Sequence, residues 1–197
     1  MSKRCKAFLV VFVLFALLLN GCTKNSADKL EESGPDSGAE DGSGTVDSSG
    51  TDADPAGITF EGTDLEGNTV SQDIFSQSRL TMVNVWATYC GPCLSEMPSL
   101  GELAAGYEAR EFQIIGIISD VEEGGDQSIA EALVLQTGAD YPHLLLNESV
   151  YHALLTDVTA VPTTFFVDEN GEVLDTVVGA KEKSAWEETI HELLEQL

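Results

Sequence analysis

The run Val83-Asn84-Val85-Trp86-Ala87-Thr88-Tyr89-Cys90-Gly91-Pro92-Cys93 joins an apolar, strand-like segment to two cysteines one helical turn apart. That spacing lets the pair cycle between dithiol and disulfide. Leu80 to Trp86 reads as a buried central strand, and a helix is predicted from about Pro92 to Ala109. Cys90 then lies where the helix begins. Free backbone N–H groups and the positive end of the helix dipole stabilise an anion there. The thiolate is the reactive form of cysteine, so Cys90 is the candidate nucleophile and Cys93, facing it across one turn, the resolving thiol. Gly91 and Pro92 form the spacer, and proline suits a first helical turn, where no amide hydrogen is needed. Cys90 would attack a substrate disulfide, and Cys93 would then attack the mixed disulfide and release reduced substrate.

Outward from this run, strands alternate with helices. Ile58 to Val70 looks like a hairpin turning at Glu66-Gly67-Asn68. Phe112 to Ser119 reads as a second buried strand, followed by an acidic, glycine-bearing loop at Asp120 to Gly125. Ser128 to Thr137 is predicted helical, His143 to Leu146 a short strand, and Tyr151 to Leu155 one or two helical turns. Thr163–Val167 and Val173–Val178 flank Asp168-Glu169-Asn170-Gly171, which marks an antiparallel hairpin. Ser184 is expected to cap a last helix with Trp186, Ile190, Leu193 and Leu197 on one side. The order predicts an α/β domain, a mixed sheet with helices on both faces.

Glu96 falls on the same helical stripe as Leu100, Leu103 and Tyr107, the apolar, core-facing one, and nearly in line with Cys93. A buried acid has a raised pKa and can exchange the proton that Cys93 must lose or gain. Two cysteines are half of a zinc site, but no second pair follows, and His143, His152 and His191 show no ligand spacing. No metal and no cofactor are therefore expected. A purely structural disulfide stays open at this point.

The rest of the chain bears on location. Lys3, Arg4 and Lys6 precede an uncharged apolar run, Ala7 to Leu19, too short for an ordinary membrane-spanning helix. Leu19-Asn20-Gly21-Cys22 resembles the bacterial lipobox, which implies a signal peptide over residues 1–21 and lipidation of Cys22. Residues 22–57 are rich in Ser, Gly, Asp and Glu and lack aromatic residues, the composition of a disordered tether with a reach of about 30 Å. The domain is then 58–197. The chain holds 34 acidic against 9 basic residues. That balance argues against nucleic acid as a partner, since phosphates need a basic surface. Of the four cysteines, processing would remove Cys5 and modify Cys22, leaving Cys90 and Cys93 as the thiol couple.

Trp86 to Cys93, the order of elements and Val161-Pro162-Thr163-Thr164-Phe165 together resemble the thioredoxin fold over nearly all of 58–197. The N-terminal hairpin and an insertion around Asp120 to Tyr141 are similar to the membrane-tethered TlpA/ResA-like branch. That branch carries Cys-x-x-Glu-x-Pro, which Cys93 to Pro98 matches, whereas ordinary thioredoxins place a buried aspartate where Asn84 stands. The resemblance implies a cis Val161-Pro162 bond packed opposite the cysteines, a docking surface there with Trp86 more exposed than Tyr89, and Glu96 as proton relay. It also implies a lipid-anchored, extracytoplasmic oxidoreductase acting on disulfide-bearing proteins, supplied with electrons by a transmembrane donor. Gly-Pro between the cysteines resembles thioredoxin, a reductant at about −270 mV. An apocytochrome, an oxidised methionine sulfoxide reductase and a misfolded protein all fit as substrates; a tethered binding module with a static disulfide is the alternative. Cys93→Ser is expected to hold partners on Cys90 as mixed disulfides that mass spectrometry identifies; recovery of nothing covalent from membranes counts against turnover.

Overall fold

The computed structural model describes residues 57–197. The leader, Cys22 and the tether as far as residue 56 lie outside the described residues. Among those described, no helix is long and apolar enough to cross a membrane.

Strands β1 (Glu61–Thr63) and β2 (Thr69–Ser71) pair antiparallel, and a 3-10 turn at Gln72–Gln77 leads to β3 (Leu80–Trp86). Helix α1 (Gly91–Gly106), β4 (Phe112–Glu122), α2 (Ser128–Thr137) and β5 (His143–Leu146) follow. A single turn, α3 (Glu148–Val150), runs into a π-helical turn at Tyr151–Leu155. The chain ends with β6 (Thr163–Asp168), β7 (Val173–Val178) and α4 (Lys183–Gln196). The sheet order is β5-β4-β3-β6-β7. β3 runs parallel to β4 and antiparallel to β6, and β5 is parallel to β4. This is the expected mixed α/β sheet with its hairpin and insertion; α2 is the helix of the insertion, and β5, after it, adds the outer strand beside β4.

All seven residues of β3 are buried, as a strand covered on both faces requires. Its side chains alternate. Val83 and Val85 join Ile115 and Ile117 of β4 with Phe60, Phe75 and Leu155, a core under the hairpin and the π turn. Leu80 and Met82 point the other way, with Leu100 and Leu103 of α1, Phe112 and Ile114 of β4, and Trp186 and Ile190 of α4. Trp86 heads a third cluster with Cys93, Met97, Ile118 and Ala130. Both hairpins use one device. The Oδ1 of Asp64 accepts from the N–H of Glu66 and Asn68, and that of Asp168 accepts from Asn170 and Glu172. The glycine three residues after each aspartate takes positive φ, +84° at Gly67 and +81° at Gly171.

Some boundaries differ from expectation. α1 stops at Gly106, three residues before Ala109. β4 continues through the expected acidic loop to Glu122, because Val121 is buried and Glu122 still registers with Leu146. Ser184 does not cap α4: the N-cap is Glu182, with no side-chain bond. The buried stripe of α4 ends in Leu194, while Leu197 is exposed.

Where α1 passes the start of the α2–β5 loop, a Cβ on Gly101 would lie 2.2 Å from the carbonyl oxygen of Gly138, a backbone atom with no room to yield. Gly101→Ala should destabilise the domain by about 1–3 kcal/mol in urea unfolding. Gly106→Ala, where a Cβ meets nothing within 4 Å, should be neutral or stabilise by up to about 1 kcal/mol.

Candidate active site

Cys90 is the N-cap of α1, and Pro92 sits in the first turn. The backbone N–H of Cys93 donates to Cys90 Sγ at 3.2 Å, so one of the helix's free donors already faces the sulfur. The two cysteines are joined as a disulfide with Cα atoms 5.3 Å apart. Cys90 is 6% exposed and Cys93 fully buried. Only the Cys90 side of the bond meets solvent, which suits it to first attack and Cys93 to the internal step. Gly91 has open space around it, leaving the approach to Cys90 clear.

The turn before the disulfide is pinned to the end of β4. Ser119 donates to the carbonyl of Trp86 at 3.0 Å, and the N–H and hydroxyl of Thr88 both donate to the Asp120 carboxylate. These contacts join residues about thirty apart in sequence, so spacing gave no sign of them. Trp86 is not the more exposed aromatic. It is fully buried, whereas Tyr89 is 78% exposed. The cause is a partner from β5, the strand after the insertion: Trp86 Nε1 donates to His143 Nδ1 at 3.1 Å. The other ring nitrogen of His143 therefore carries the hydrogen and donates to the Ala139 carbonyl at 3.0 Å.

The Val161–Pro162 peptide bond is cis, and the Val161 carbonyl oxygen lies 3.6 Å from Cys90 Sγ. Proline places no amide hydrogen beside the sulfurs. An open groove bounded by Tyr89, Tyr151, Leu155, Val158 and Val161 leads up to this point.

Glu96 is on the core-facing side of α1, 4% exposed. Its Oε1 accepts from Asn84 Nδ2 at 3.2 Å. Its Oε2 accepts from the Lys181 backbone N–H at 3.1 Å and from Trp186 Nε1 at 3.3 Å. Burial pushes the carboxyl above its ordinary range, and these three donors oppose the rise only in part. Asn84 also donates to Thr164 Oγ1 at 3.1 Å. Trp186 was expected only on the inner side of the last helix and Thr164 only as part of the Val161-to-Phe165 motif; no local pattern marks either of them, or Lys181, as belonging to the Glu96 site. Among the described residues, no group of three or more His, Cys, Asp or Glu side chains is placed to hold a metal.

Residues 48–194 match the Redoxin family. The chain belongs to the Redoxin family. It is 28% identical over 172 residues to the thiol-disulfide oxidoreductase ResA of Oceanobacillus iheyensis, covering 87% of this chain and 77% of that one. A thiol:disulfide interchange protein of Chlorobium tepidum superposes with a TM-score of 0.61 at 25% identity, over 70% of this redoxin and 94% of the other chain. The exposed lipoprotein thioredoxin of Streptococcus pneumoniae superposes with a TM-score of 0.53 at 25% identity, over 68% and 98%. The redoxin has the thioredoxin fold and is a TlpA/ResA-like thiol-disulfide oxidoreductase with Cys90 and Cys93 as its pair.

Burial lowers His143 from 6.5 to about 4. Between those values the unfolded chain binds a proton that the folded redoxin does not. The stability that neutral His143 contributes is thus complete above pH 6.5 and lost as pH falls toward 4. Urea unfolding of His143→Gln should show a flatter decline over this window than wild type; parallel curves would refute the assignment.

Proposed function

We propose that this redoxin is a lipid-anchored, extracytoplasmic reductase of protein disulfides. The observation that carries the reading is the Cys90–Cys93 disulfide at a helix N-terminus, opened on the Cys90 side toward a cis-proline loop. The names of the oxidoreductase ResA and of the exposed lipoprotein thioredoxin support the chemistry and the location, as do the charged start, apolar run and Leu19-Asn20-Gly21-Cys22 of the leader.

In the proposed cycle the reduced protein begins with Cys90 as thiolate, favoured by the Cys93 N–H and the start of α1. The thiolate attacks one sulfur of a substrate disulfide, and the other sulfur leaves as a thiolate that takes up a proton. The substrate backbone lies along the Val161 edge, where the cis bond leaves main-chain groups free to pair. Cys93 then passes its proton to the Glu96 carboxylate and attacks Cys90 Sγ. The second substrate sulfur leaves as a thiolate that takes up a proton from water, and the Cys90–Cys93 disulfide forms. Two electrons have moved to the substrate, its two protons have come from water, and the Cys93 proton rests on Glu96 until the dithiol is restored. A membrane protein that carries electrons across the bilayer restores the dithiol, and the tether lets the domain reach both it and the substrate.

Glu96 serves as base in its ionised form, so the resolving step slows as pH falls through the raised Glu96 pKa. Glu96→Gln should slow that step by about 10²-fold near neutral pH and flatten its pH dependence; unchanged rates from pH 5 to 9 would sink the relay. The chain should reduce insulin disulfides with turnover, and Cys22→Ala should release it from the membrane fraction. No turnover, with a bond that resists excess dithiothreitol, leaves a binding module instead.

A further inference from the structure

Glu96 meets three N–H donors, from Asn84, Lys181 and Trp186. That set suits a carboxylate. A relay must also hold the acid form, whose O–H needs an acceptor in a place sealed from water. Among the described residues two buried side-chain oxygens have no partner, Asn84 Oδ1 and the Tyr141 hydroxyl, and of these Asn84 belongs to a side chain already bonded to Glu96. Asn84 is fully buried on β3, and Thr164, which pairs with it across the β3–β6 ladder, is fully buried too.

The two ends of a carboxamide have nearly the same size, so half a turn about the Cβ–Cγ bond exchanges donor for acceptor without disturbing packing. We propose that Asn84 is a positioning residue that reads the proton on Glu96: its Nδ2 donates to the carboxylate, and its Oδ1, after half a turn, accepts from the acid. Thr164 follows, because its hydroxyl accepts from Nδ2 in the first state and by rotation donates to Oδ1 in the second. One end of the amide lacks a partner in either state, so neither orientation is locked. The proton comes from Cys93 as its sulfur attacks Cys90 and leaves through Glu96 when the cycle resets. No aspartate could serve both states, since an ionised neighbour would repel the Glu96 carboxylate.

The charged and titratable groups around Glu96 leave this role to the amide. Cys93 lies one turn before it on α1. Lys181 turns its ammonium away, over the Trp186 ring at 5.0 Å and toward Thr189. The Tyr141 phenol, between α2 and β5, stays protonated, raised by burial and by Glu96 itself.

The inference rests on Glu96 as the relay, and the test separates the two. In the full chain, labelled with ¹³C and ¹⁵N, the Asn84 side-chain NH₂ signals should shift with the same midpoint as the Glu96 carboxyl carbon, and their contacts to Thr164 should change. In single-turnover resolution of a mixed disulfide on Cys90, Asn84→Leu should slow the step about 10-fold, less than the loss of the acid–base group itself. In a Glu96→Gln background the same substitution should add nothing. Amide signals that stay fixed while Glu96 titrates, or equal slowing in both backgrounds, overturn the role of Asn84 alone. A Glu96 carbon that does not titrate with the resolving rate overturns the relay and this inference together. If Asn84→Leu fails to fold, the wild-type spectra decide.

Discussion

A carboxyl group taken out of water must be met by hydrogen bonds, or its burial costs several kcal/mol. Glu96 imposes this condition on the domain. Its oxygens are satisfied by Asn84 of the central strand, Trp186 of the last helix and the backbone before that helix. One side chain thereby ties α1, β3 and α4 together at a point one turn from Cys93. The first turn of α1 cannot shift along the sheet without breaking these bonds, so the disulfide is held at a set height above the cis-proline loop. The opposite face of the sheet is mainly apolar, with Thr81 accepting from Gln113 Nε2 at 2.9 Å.

The insertion after β4 and the strand that follows it have a comparable part. α2 and β5 close one edge of the sheet, and the first residue of β5, His143, reaches Trp86 at the foot of the active-site turn. Gly116 opposite gives it room: a Cβ there would lie 2.2 Å from the His143 ring. A buried, neutral imidazole thus does structural work that a purely apolar residue in its place would leave undone, since the indole N–H would have no acceptor. Support for the redox turn comes from three sides, through Asp120 and Ser119 at the end of β4, His143 from β5 and Val161 from the loop before β6.

Much of this was legible in the order of residues. The continuous apolar run of β3, the helix-start position of Cys90 and the turn residues of both hairpins are local signals, and each led to the observed element. The burial of Glu96 was readable because three-and-four spacing puts it on one stripe with Leu100 and Leu103. The errors came where long-range packing overrides local pattern. Trp86 was expected to be more exposed than Tyr89 only through the family resemblance, yet His143, 57 residues on, draws it inside. β4 outran its expected end because Val121 found a buried place beyond the acidic residues around it.

The sequence by itself determined the redox pair, its place at a helix N-terminus, the strand–helix order and an acid on the buried face, because each follows from spacing within a few residues. Only the tertiary structure decided what that acid touches. Glu96 binds through Asn84, Lys181 and Trp186, which are 12, 85 and 90 residues away. Separations of that size carry no periodic signature; they exist only once β3, α1 and α4 share a core. The cis geometry that sets Val161 beside Cys90 is of the same kind, since proline lowers the cost of the cis bond but the surrounding fold selects it.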